Sequence, residues 1–535
     1  MQVLVTHALA VAEQVRVHSS ASLAAALVLP LLAPPLRAQV RRGADPVERL
    51  ERWVREFERA RSDPTPQEEA ELGMLCADAG LLHAATPERG VEVAEALLSV
   101  ATARPAPASF SEPGPVVAGS SAARVQAEGR RALARLLAAD PAVARWLSSA
   151  VLTRSSAPLP RRLAGVQTLE GLYLPPTRLA LFACGIEPEP SLRAASVDAL
   201  CGWADEGVHR FLVAQLRRNE AEPGWVAPSK IRRHFARMQL APDGAAAREL
   251  RAHVADALRS ADWRRAYRGL QLAPGLTDEM VVPELIEALR TWIERRAAGT
   301  GRLRIEADIT RELRRRSGRN IGPFPQRWDT WWRARQATGG SAPAEAEAEQ
   351  LTAAGFFGLR PMTDRVVFVL DRSGSMQNAF QGGERTRYEE AIEQLMKLLE
   401  SLGPQTHFRV ILFSGELRIW SDDLRPATSS NLGLVRSWME HNAPDGATHL
   451  QPAVAQAMRL DGRGQLDLAE LEADTVIVLC DGATAEGPGW VVPLMQGPNE
   501  AACLVFHSVQ IGQGGDGTLE ALASESGGDF VRVRG

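Results

Sequence analysis

A buried strand that ends in oxygen-bearing side chains is the feature that most constrains this chain. Residues 366–370 form the continuous apolar run Val-Val-Phe-Val-Leu, which is typical of a strand buried on both faces. Asp371, Ser373 and Ser375 follow this run. In open α/β folds such strand ends lie at the carboxyl edge of a parallel sheet, where functional sites occur. Carboxylate and hydroxyl oxygens, without sulfur or imidazole, suit a hard cation such as Mg²⁺.

The rest of the C-terminal third alternates strands with helices. Apolar residues at helical spacing predict helices over residues 387–402, 431–440 and 452–460. Further apolar and β-branched runs predict strands over residues 408–413, 417–420, 475–481, 503–511 and 530–533. Because strands that alternate with helices imply βαβ crossovers, we expect a doubly wound, largely parallel sheet.

Five oxygen-bearing residues of this region match a known signature: Asp371, Ser373, Ser375, Thr448 and Asp481. An Asp-x-Ser-x-Ser element follows the first strand, a threonine lies in a later loop, and an aspartate follows a later core strand. Residues 360–535 therefore resemble the von Willebrand factor type A (VWA) domain. The resemblance implies a Rossmann-like α/β fold.

The same resemblance implies a metal-ion-dependent adhesion site (MIDAS). In such a site Ser373, Ser375 and sometimes Thr448 bind the ion directly, while Asp371 and Asp481 act mostly through bound water and orient the hydroxyls. The implied ion is Mg²⁺, or Mn²⁺ or Ca²⁺ in its place. Neutral hydroxyl ligands leave the ion electrophilic, so a Glu or Asp side chain of a partner protein completes its coordination. The implied activity is metal-dependent protein binding or adhesion, without catalysis.

Other interpretations exist for the residues and for the protein. Taken singly, Asp371 could cap a helix, the serines could form a turn, and Thr448 could cap the helix near Leu450. One alternative function is an accessory subunit of a chaperone-like AAA ATPase machine, a role of some VWA proteins. The other is a Mg²⁺-dependent hydrolase, which is disfavoured because the sequence shows no general base or paired nucleophile near the site.

A glycine-rich segment, residues 512–517, matches the pattern GxGxxG of dinucleotide-binding domains. In those domains the pattern opens the first βα unit, and an acidic residue follows at the end of the next strand. Here the segment lies at the last predicted crossover, and Asp529 precedes the final strand. The position favours a surface turn.

The region before the VWA-like domain is predicted to be helical over residues 45–336. Successive apolar helix pairs resemble HEAT-type repeats, which predicts an α-solenoid; a non-repetitive helical bundle is the alternative. Residues 103–121 are predicted to form a loop, and residues 337–359 an interdomain linker. Three tryptophans share one face of a predicted helix and are assigned to core packing: Trp328, Trp331 and Trp332.

The amino terminus has the pattern of an export signal. Residues 22–34 are apolar but too few to span a membrane, and residues 36–38 offer a cleavage site before Gln39. We therefore predict a signal peptide over residues 1–38 and export to the periplasm, the cell envelope or the medium, with a cytoplasmic location as the alternative. A later stretch of 18 apolar residues is lacking, so no integral membrane span is expected. The net charge of −4 argues against a nucleic-acid partner.

Overall fold

The computed structural model of the protein describes residues 45–60, 63–104, 120–222, 228–338, 356–359 and 361–534. The chain divides into two compact units between Ala199 and Leu200. The predicted signal peptide, most of the predicted loop at 103–121 and most of the linker at 337–359 lie outside the described residues. No helix among the described segments is long and apolar enough to cross a membrane.

The first unit is helical, and its helices begin at sequence signals that suit helix starts. Asp45, Thr65, Ser120 and Asp140 each accept a hydrogen bond from a first-turn backbone N–H. The helices are α1 (Pro46–Arg59), α2 (Pro66–Ala85), α3 (Gly90–Thr102), α4 (Ser121–Ala139), α5 (Pro141–Trp146), α6 (Leu159–Thr168), α7 (Arg178–Cys184) and α8 (Pro190–Leu200), whose last residue opens the second unit.

Close packing in this unit depends on a small residue at one helix crossing. Gly129 of α4 lies against α3, where an added Cβ would come within 2.6 Å of the Ala101 backbone nitrogen. Val93, Leu97 and Val100 of α3 are fully or almost fully buried. A side chain at Gly129 would therefore separate two helices that share a core.

The second unit begins with further helices and continues into an α/β domain. Its helical part contains α9 (Glu206–Ala221), α10 (Ser229–Arg237), α11 (Ala245–Arg259), α12 (Trp263–Leu270), α13 (Asp278–Ala297), α14 (Leu303–Ser317) and α15 (Pro325–Ala337). Trp328, Trp331 and Trp332 are buried and pack against each other, as predicted. The helical character of the N-terminal region is confirmed, whereas the HEAT-like repeat stays a prediction.

The α/β domain is built on one mixed sheet. Its strands are β1 (Arg365–Asp371), β2 (His407–Phe413), β3 (Leu417–Ile419), β4 (Arg425–Pro426), β5 (Thr475–Cys480), β6 (Val505–Ile511) and β7 (Phe530–Val533). The order is β3-β2-β1-β5-β6-β7, with β4 also paired to β2. Pairs among β1, β2, β5, β6 and β7 are parallel, and β3 and β4 run antiparallel to β2. The predicted largely parallel sheet is confirmed.

Helices cover both faces of this sheet, as its continuous apolar strands require. They are α16 (Arg387–Leu402), α17 (Ser429–Glu440), α18 (Leu450–Ala457), α19 (Val491–Gln496), α20 (Pro498–Ala502) and α21 (Thr518–Ser526). Phe368 belongs to one core with Leu395 of α16, and Val369 to the other with Val454 of α18. Cys503, predicted in a strand, instead ends α20 with a left-handed backbone (φ 57°), so the strand starts at Val505.

Arginines join the helical part of the second unit to the amino edge of its sheet, where the parallel strands begin. Arg304 of α14 is 3% exposed and donates to the backbone oxygens of Asp474 and Cys503, each at 2.6 Å. Arg264 of α12 donates to the Leu471 oxygen at 2.6 Å. The opposite, carboxyl edge carries the oxygen-bearing residues.

Candidate metal centre

The two predicted aspartates lie on neighbouring strands at the carboxyl edge. Asp371 ends β1, and Asp481 directly follows β5. The strands are parallel, with Leu370 opposite Leu479, so Asp481 emerges one residue beyond the level of Asp371 at the same edge of the sheet. Asp371 is 0% exposed and Asp481 is 5% exposed. The fold thus places two carboxylates together in a site largely withdrawn from water.

The turn after β1 carries two serines toward these acids. The Ser373 backbone N–H donates to Asp371 Oδ1 at 2.6 Å, and a short 3₁₀ turn begins at Gly374. The Ser373 and Ser375 hydroxyl oxygens lie 3.1 Å apart, and Ser375 Oγ donates to Asp481 Oδ1 at 2.6 Å. Ser373 is buried, whereas Ser375 is exposed. Four of the five predicted residues therefore form one hydrogen-bonded chain between two buried aspartates, with Ser375 as its exposed member.

The loop that carries Thr448 is joined to the same edge by backbone hydrogen bonds. The Thr448 carbonyl accepts from the Ala485 N–H at 2.9 Å, and the Gly446 carbonyl accepts from the Gly374 N–H at 3.1 Å. Among the described residues, the Thr448 hydroxyl is not hydrogen-bonded to either serine. Thr448 also does not cap α18, because the carboxylate of Glu486 accepts the Leu450 N–H at 3.3 Å.

A thiol lies behind the first aspartate. Cys480 Sγ donates to Asp371 Oδ2 at 3.0 Å. Burial raises the pKa of the Asp371 carboxyl to about 6, although this thiol and the Ser373 N–H both favour its charged form. Burial also raises the pKa of the Cys480 thiol well above its usual range. The sequence pattern predicts Cys480 only as part of the strand over residues 475–481 and gives no sign of its hydrogen bond to Asp371.

Arg387 is a second contact that the sequence analysis missed. Its Nη1 lies 2.6 Å from Asp481 Oδ2, so each oxygen of Asp481 has its own donor, Ser375 or Arg387. Arg387 is the first residue of α16, where the positive end of the helix dipole disfavours a cation. An arginine at this position, directly after the helix cap Thr386, is the sequence signal that could have indicated a nearby acid.

Arg372, within the Asp-x-Ser-x-Ser element, is buried rather than solvated. The side chain is 9% exposed, and its Nη1 donates to the Ala443 carbonyl at 3.2 Å. The Arg372 N–H donates to the Phe413 carbonyl at 2.8 Å, while its own carbonyl accepts from Asp445. Arg372 therefore fastens the turn after β1 to β2 and to the loop that carries Thr448.

The glycine-rich segment at 512–517 forms a turn held by Asp516. The Asp516 carboxylate accepts from the Thr518 N–H at 3.0 Å and from the Thr484 hydroxyl at 2.8 Å. Gly512 and Gly517 have φ angles of 81° and 88°, which glycine adopts without strain. The acid thus binds the first N–H of α21 and ties the turn to the loop after β5.

The donor set and its spacing fit a small hard cation. Two oxygens that occupy adjacent positions of an Mg²⁺ octahedron, each about 2.1 Å from the ion, lie about 3.0 Å apart. The separation of 3.1 Å between the serine oxygens matches this edge. In the described part of the chain, at this edge as elsewhere, no three His, Cys, Asp or Glu side chains form a group that could hold a metal ion, so the candidate centre depends on hydroxyl oxygens.

Comparison with known proteins agrees with this architecture. The family model of the von Willebrand factor type A domain matches residues 366–483, the segment from β1 to the turn after β5. Residues 366–483 form a VWA domain. The match includes all five residues of the signature, and it ends before β6, β7 and the glycine-rich turn.

Curated relatives match between a third and a half of this chain. Inter-alpha-trypsin inhibitor heavy chain H4 of Homo sapiens is 31% identical over 181 residues, which cover 33% of this chain and 19% of the relative. Inter alpha-trypsin inhibitor, heavy chain 4, of Mus musculus is 28% identical over 268 residues, covering 47% of this chain and 26% of the relative. The chain thus spans about a fifth to a quarter of the length of these relatives.

Two solved structures are more distant. Proximal thread matrix protein 1 from the mussel byssus, in a form described as having a zinc-occupied MIDAS motif, is 19% identical, with a TM-score of 0.24 and coverage of 31% of this chain and 40% of that chain. The PilB minor pilin from Streptococcus sanguinis is 16% identical, with a TM-score of 0.22 and coverage of 32% and 56%.

Proposed function

We propose that this protein is a binding protein whose VWA domain holds a divalent cation and captures an acidic side chain of a partner protein. Mg²⁺ is the proposed ion, with Mn²⁺ or Ca²⁺ as substitutes. Ser373 and Ser375 would bind the ion directly, with Thr448 completing the protein ligands, and Asp371 and Asp481 would act through water. When bound, the ion supplies a Lewis-acidic position for a carboxylate oxygen.

The observation that carries this proposal is the chain of contacts Asp371–Ser373–Ser375–Asp481. Asp481 accepts the Ser375 hydroxyl proton, which leaves a lone pair of Ser375 Oγ available to a cation. Asp371 fixes the turn by accepting the Ser373 N–H. The acids thus hold the two serine oxygens 3.1 Å apart, which supports a site that binds an ion and still attracts an anion.

The proposal favours binding over hydrolysis because both aspartates already accept hydrogen bonds within the site. Asp481 accepts from Ser375 and Arg387, one at each oxygen, and Asp371 accepts from a thiol and a backbone N–H. Neither carboxylate is available as a general base without losing the contacts that form the site. An accessory subunit of an ATPase machine would use the same cation site. The identity of the captured protein therefore decides between adhesion and a role in such a machine.

Export stays a proposal, because it rests on residues 1–38 alone. Sequencing of the amino terminus of the mature protein tests it, with Gln39 as the expected first residue. An intact amino terminus on cytosolic protein would contradict export without affecting the cation site.

The cation site is tested by Asp371→Ala in the full-length chain. At a free Mg²⁺ concentration one hundred times Kd, we expect the parent to gain about 2.7 kcal/mol of unfolding free energy and the variant to gain none. Differential scanning calorimetry with Mg²⁺ and with EDTA measures the difference. Asp423→Ala, which removes an exposed acid of the same domain, should keep the full gain. Equal Mg²⁺ stabilisation of parent and Asp371→Ala would remove the proposal.

A further inference from the structure

Arg387 is a positively charged side chain that contacts Asp481 of the proposed metal site. Its side chain is 19% exposed, while the Asp481 side chain that it contacts is fully buried. Among the described residues that hydrogen-bond to Asp371 or Asp481, Arg387 is the one with a formal positive charge. Arg372 directs its guanidinium to the Ala443 carbonyl instead.

The start of α16 holds Arg387 in place independently of any ion. Thr386 caps the helix, with its hydroxyl accepting from the Glu389 N–H at 3.1 Å and its own N–H donating to the Glu389 carboxylate at 2.8 Å. Buried Tyr388, whose hydroxyl donates to the Met439 carbonyl at 3.0 Å, fixes the next residue. The guanidinium is therefore presented to Asp481 by a rigid helix start rather than by a long mobile loop.

The contact between Arg387 and Asp481 changes the net charge of the site. Asp371 and Asp481 supply two potential negative charges, which would by themselves neutralise a divalent cation. Arg387 offsets one of them, so the loaded site keeps an excess positive charge. Like charges in a partly buried site repel strongly, and the same excess attracts an incoming carboxylate.

We propose that Arg387 is a positioning residue that holds Asp481 against Ser375, weakens binding of the divalent cation, and strengthens capture of an acidic group by the loaded site. The inference rests on the proposed function, since it assigns Arg387 a role at the same cation site. It predicts opposite effects of one substitution on two affinities, which a residue with only a packing role would not produce.

The first test is the affinity for Mg²⁺ alone, measured by isothermal titration calorimetry on the full-length chain. We expect Arg387→Gln to lower the Kd for Mg²⁺ by about tenfold, because a repelling charge is removed. The matched control is Arg385→Gln, which removes the same charge two residues earlier, where Arg385 is exposed and contacts Glu390. The control should stay within about twofold of the parent. Unchanged or weaker Mg²⁺ binding by Arg387→Gln would overturn the inference.

The second test is anion capture by protein loaded with Mn²⁺, with N-acetylglutamate as the probe. Water-proton relaxation reports how far the probe displaces water from the bound Mn²⁺. We expect Arg387→Gln to need about threefold or more additional probe for half-maximal displacement, and Arg385→Gln to match the parent. Equal or tighter probe binding by Arg387→Gln would contradict the proposed role.

Two further measurements keep the inference testable if Arg387→Gln folds poorly. Arg387→Lys retains the charge, so its Kd for Mg²⁺ should stay within about threefold of the parent, and a tenfold tighter value would count against the charge argument. Unfolding midpoints of Arg387→Gln over a Mg²⁺ series also give the affinity of its folded state. A parent that binds no Mg²⁺ defeats the proposed function, whereas a parent that binds Mg²⁺ as tightly as Arg387→Gln defeats this inference alone.

Discussion

The two edges of the sheet each bury an aspartate but surround it differently. At the amino edge, Asp474 Oδ1 accepts from the hydroxyls of Thr363 at 2.6 Å and Thr475 at 2.8 Å. At the carboxyl edge, Asp481 accepts from Ser375, which is an exposed residue. Arg304 is enclosed at the first edge, while Arg387 is partly open to solvent at the second.

This difference separates polar groups that hold the domain together from groups that can bind something else. Hydroxyls at the amino edge give their protons to a buried acid, and a guanidinium covers the adjoining backbone oxygens, so every contact is internal. At the carboxyl edge, the exposed residue Ser375 gives its proton to Asp481 and keeps an oxygen lone pair that a ligand can use. The enclosed edge should therefore affect stability and the open edge should affect ligand affinity.

Substitution at the enclosed edge should have the largest effect, and this effect should be on the free energy of unfolding. Arg304→Ala removes the donor to the Asp474 and Cys503 carbonyls and leaves Asp308 without one of its ion-pair partners. We expect the free energy of unfolding of the second unit to fall by about 3–5 kcal/mol, with an unchanged Kd for Mg²⁺. Denaturant unfolding and calorimetry measure the two quantities.

Arg311→Ala is the matched control, because Arg311 also contacts Asp308 but its side chain is 58% exposed. We expect this variant to lose no more than about 1 kcal/mol. A loss of the same size in both variants would remove the distinction between enclosed and exposed arginines.

Substitution at the open edge should have a smaller effect, which should be on the affinity for Mg²⁺ rather than on stability. Ser375→Ala deletes one proposed ligand oxygen and one donor to Asp481. We expect the Kd for Mg²⁺ to rise by about tenfold or more, while the unfolding free energy in EDTA changes by no more than about 1 kcal/mol. Ser401→Ala, on the same domain and away from the site, controls for the loss of a hydroxyl. A large loss of unfolding free energy in EDTA without any change in the Kd for Mg²⁺ would show that Ser375 stabilises the fold and does not bind the ion.

The smallest effect is expected from removing the charge of Asp474. Burial raises the pKa of this carboxyl, so its ionised form is less stable in the folded protein than in the unfolded chain. The folded state therefore loses stability as the pH rises through the range in which Asp474 ionises. Asp474→Asn keeps an oxygen for both threonine hydroxyls and should be more stable than the parent at pH 7.

The pH dependence provides the check on that variant. The advantage of Asp474→Asn should shrink as the pH falls toward about 4, because the carboxyl of the unfolded parent, with an ordinary pKa of about 3.9, is then partly protonated as well. Denaturant unfolding at pH 7, 5.5 and 4 measures it, with exposed Asp423→Asn as a control without such a trend. Destabilisation by Asp474→Asn at pH 7 would mean that the negative charge itself is needed at the enclosed edge.

Most of the VWA fold could be predicted from local sequence. The helix predicted at 387–402 and the strand predicted at 530–533 match the observed bounds. Strand bounds were less accurate near Cys503, because an apolar run does not reveal the left-handed residue that ends the preceding helix. The HEAT-like repeat and the export signal stay predictions, since periodicity in the helices is irregular and the leader lies outside the described residues.

Delivery of Asp371, Ser373 and Ser375 to a sheet edge by a buried strand is predictable from the sequence, because apolar runs and the residues that end them are local properties of the chain. The contacts of Cys480 with Asp371 and of Arg387 with Asp481, and the enclosure of the opposite edge by Arg304, follow from tertiary packing. Such contacts join residues on different elements, and their charges and burial depend on how those elements pack rather than on sequence spacing.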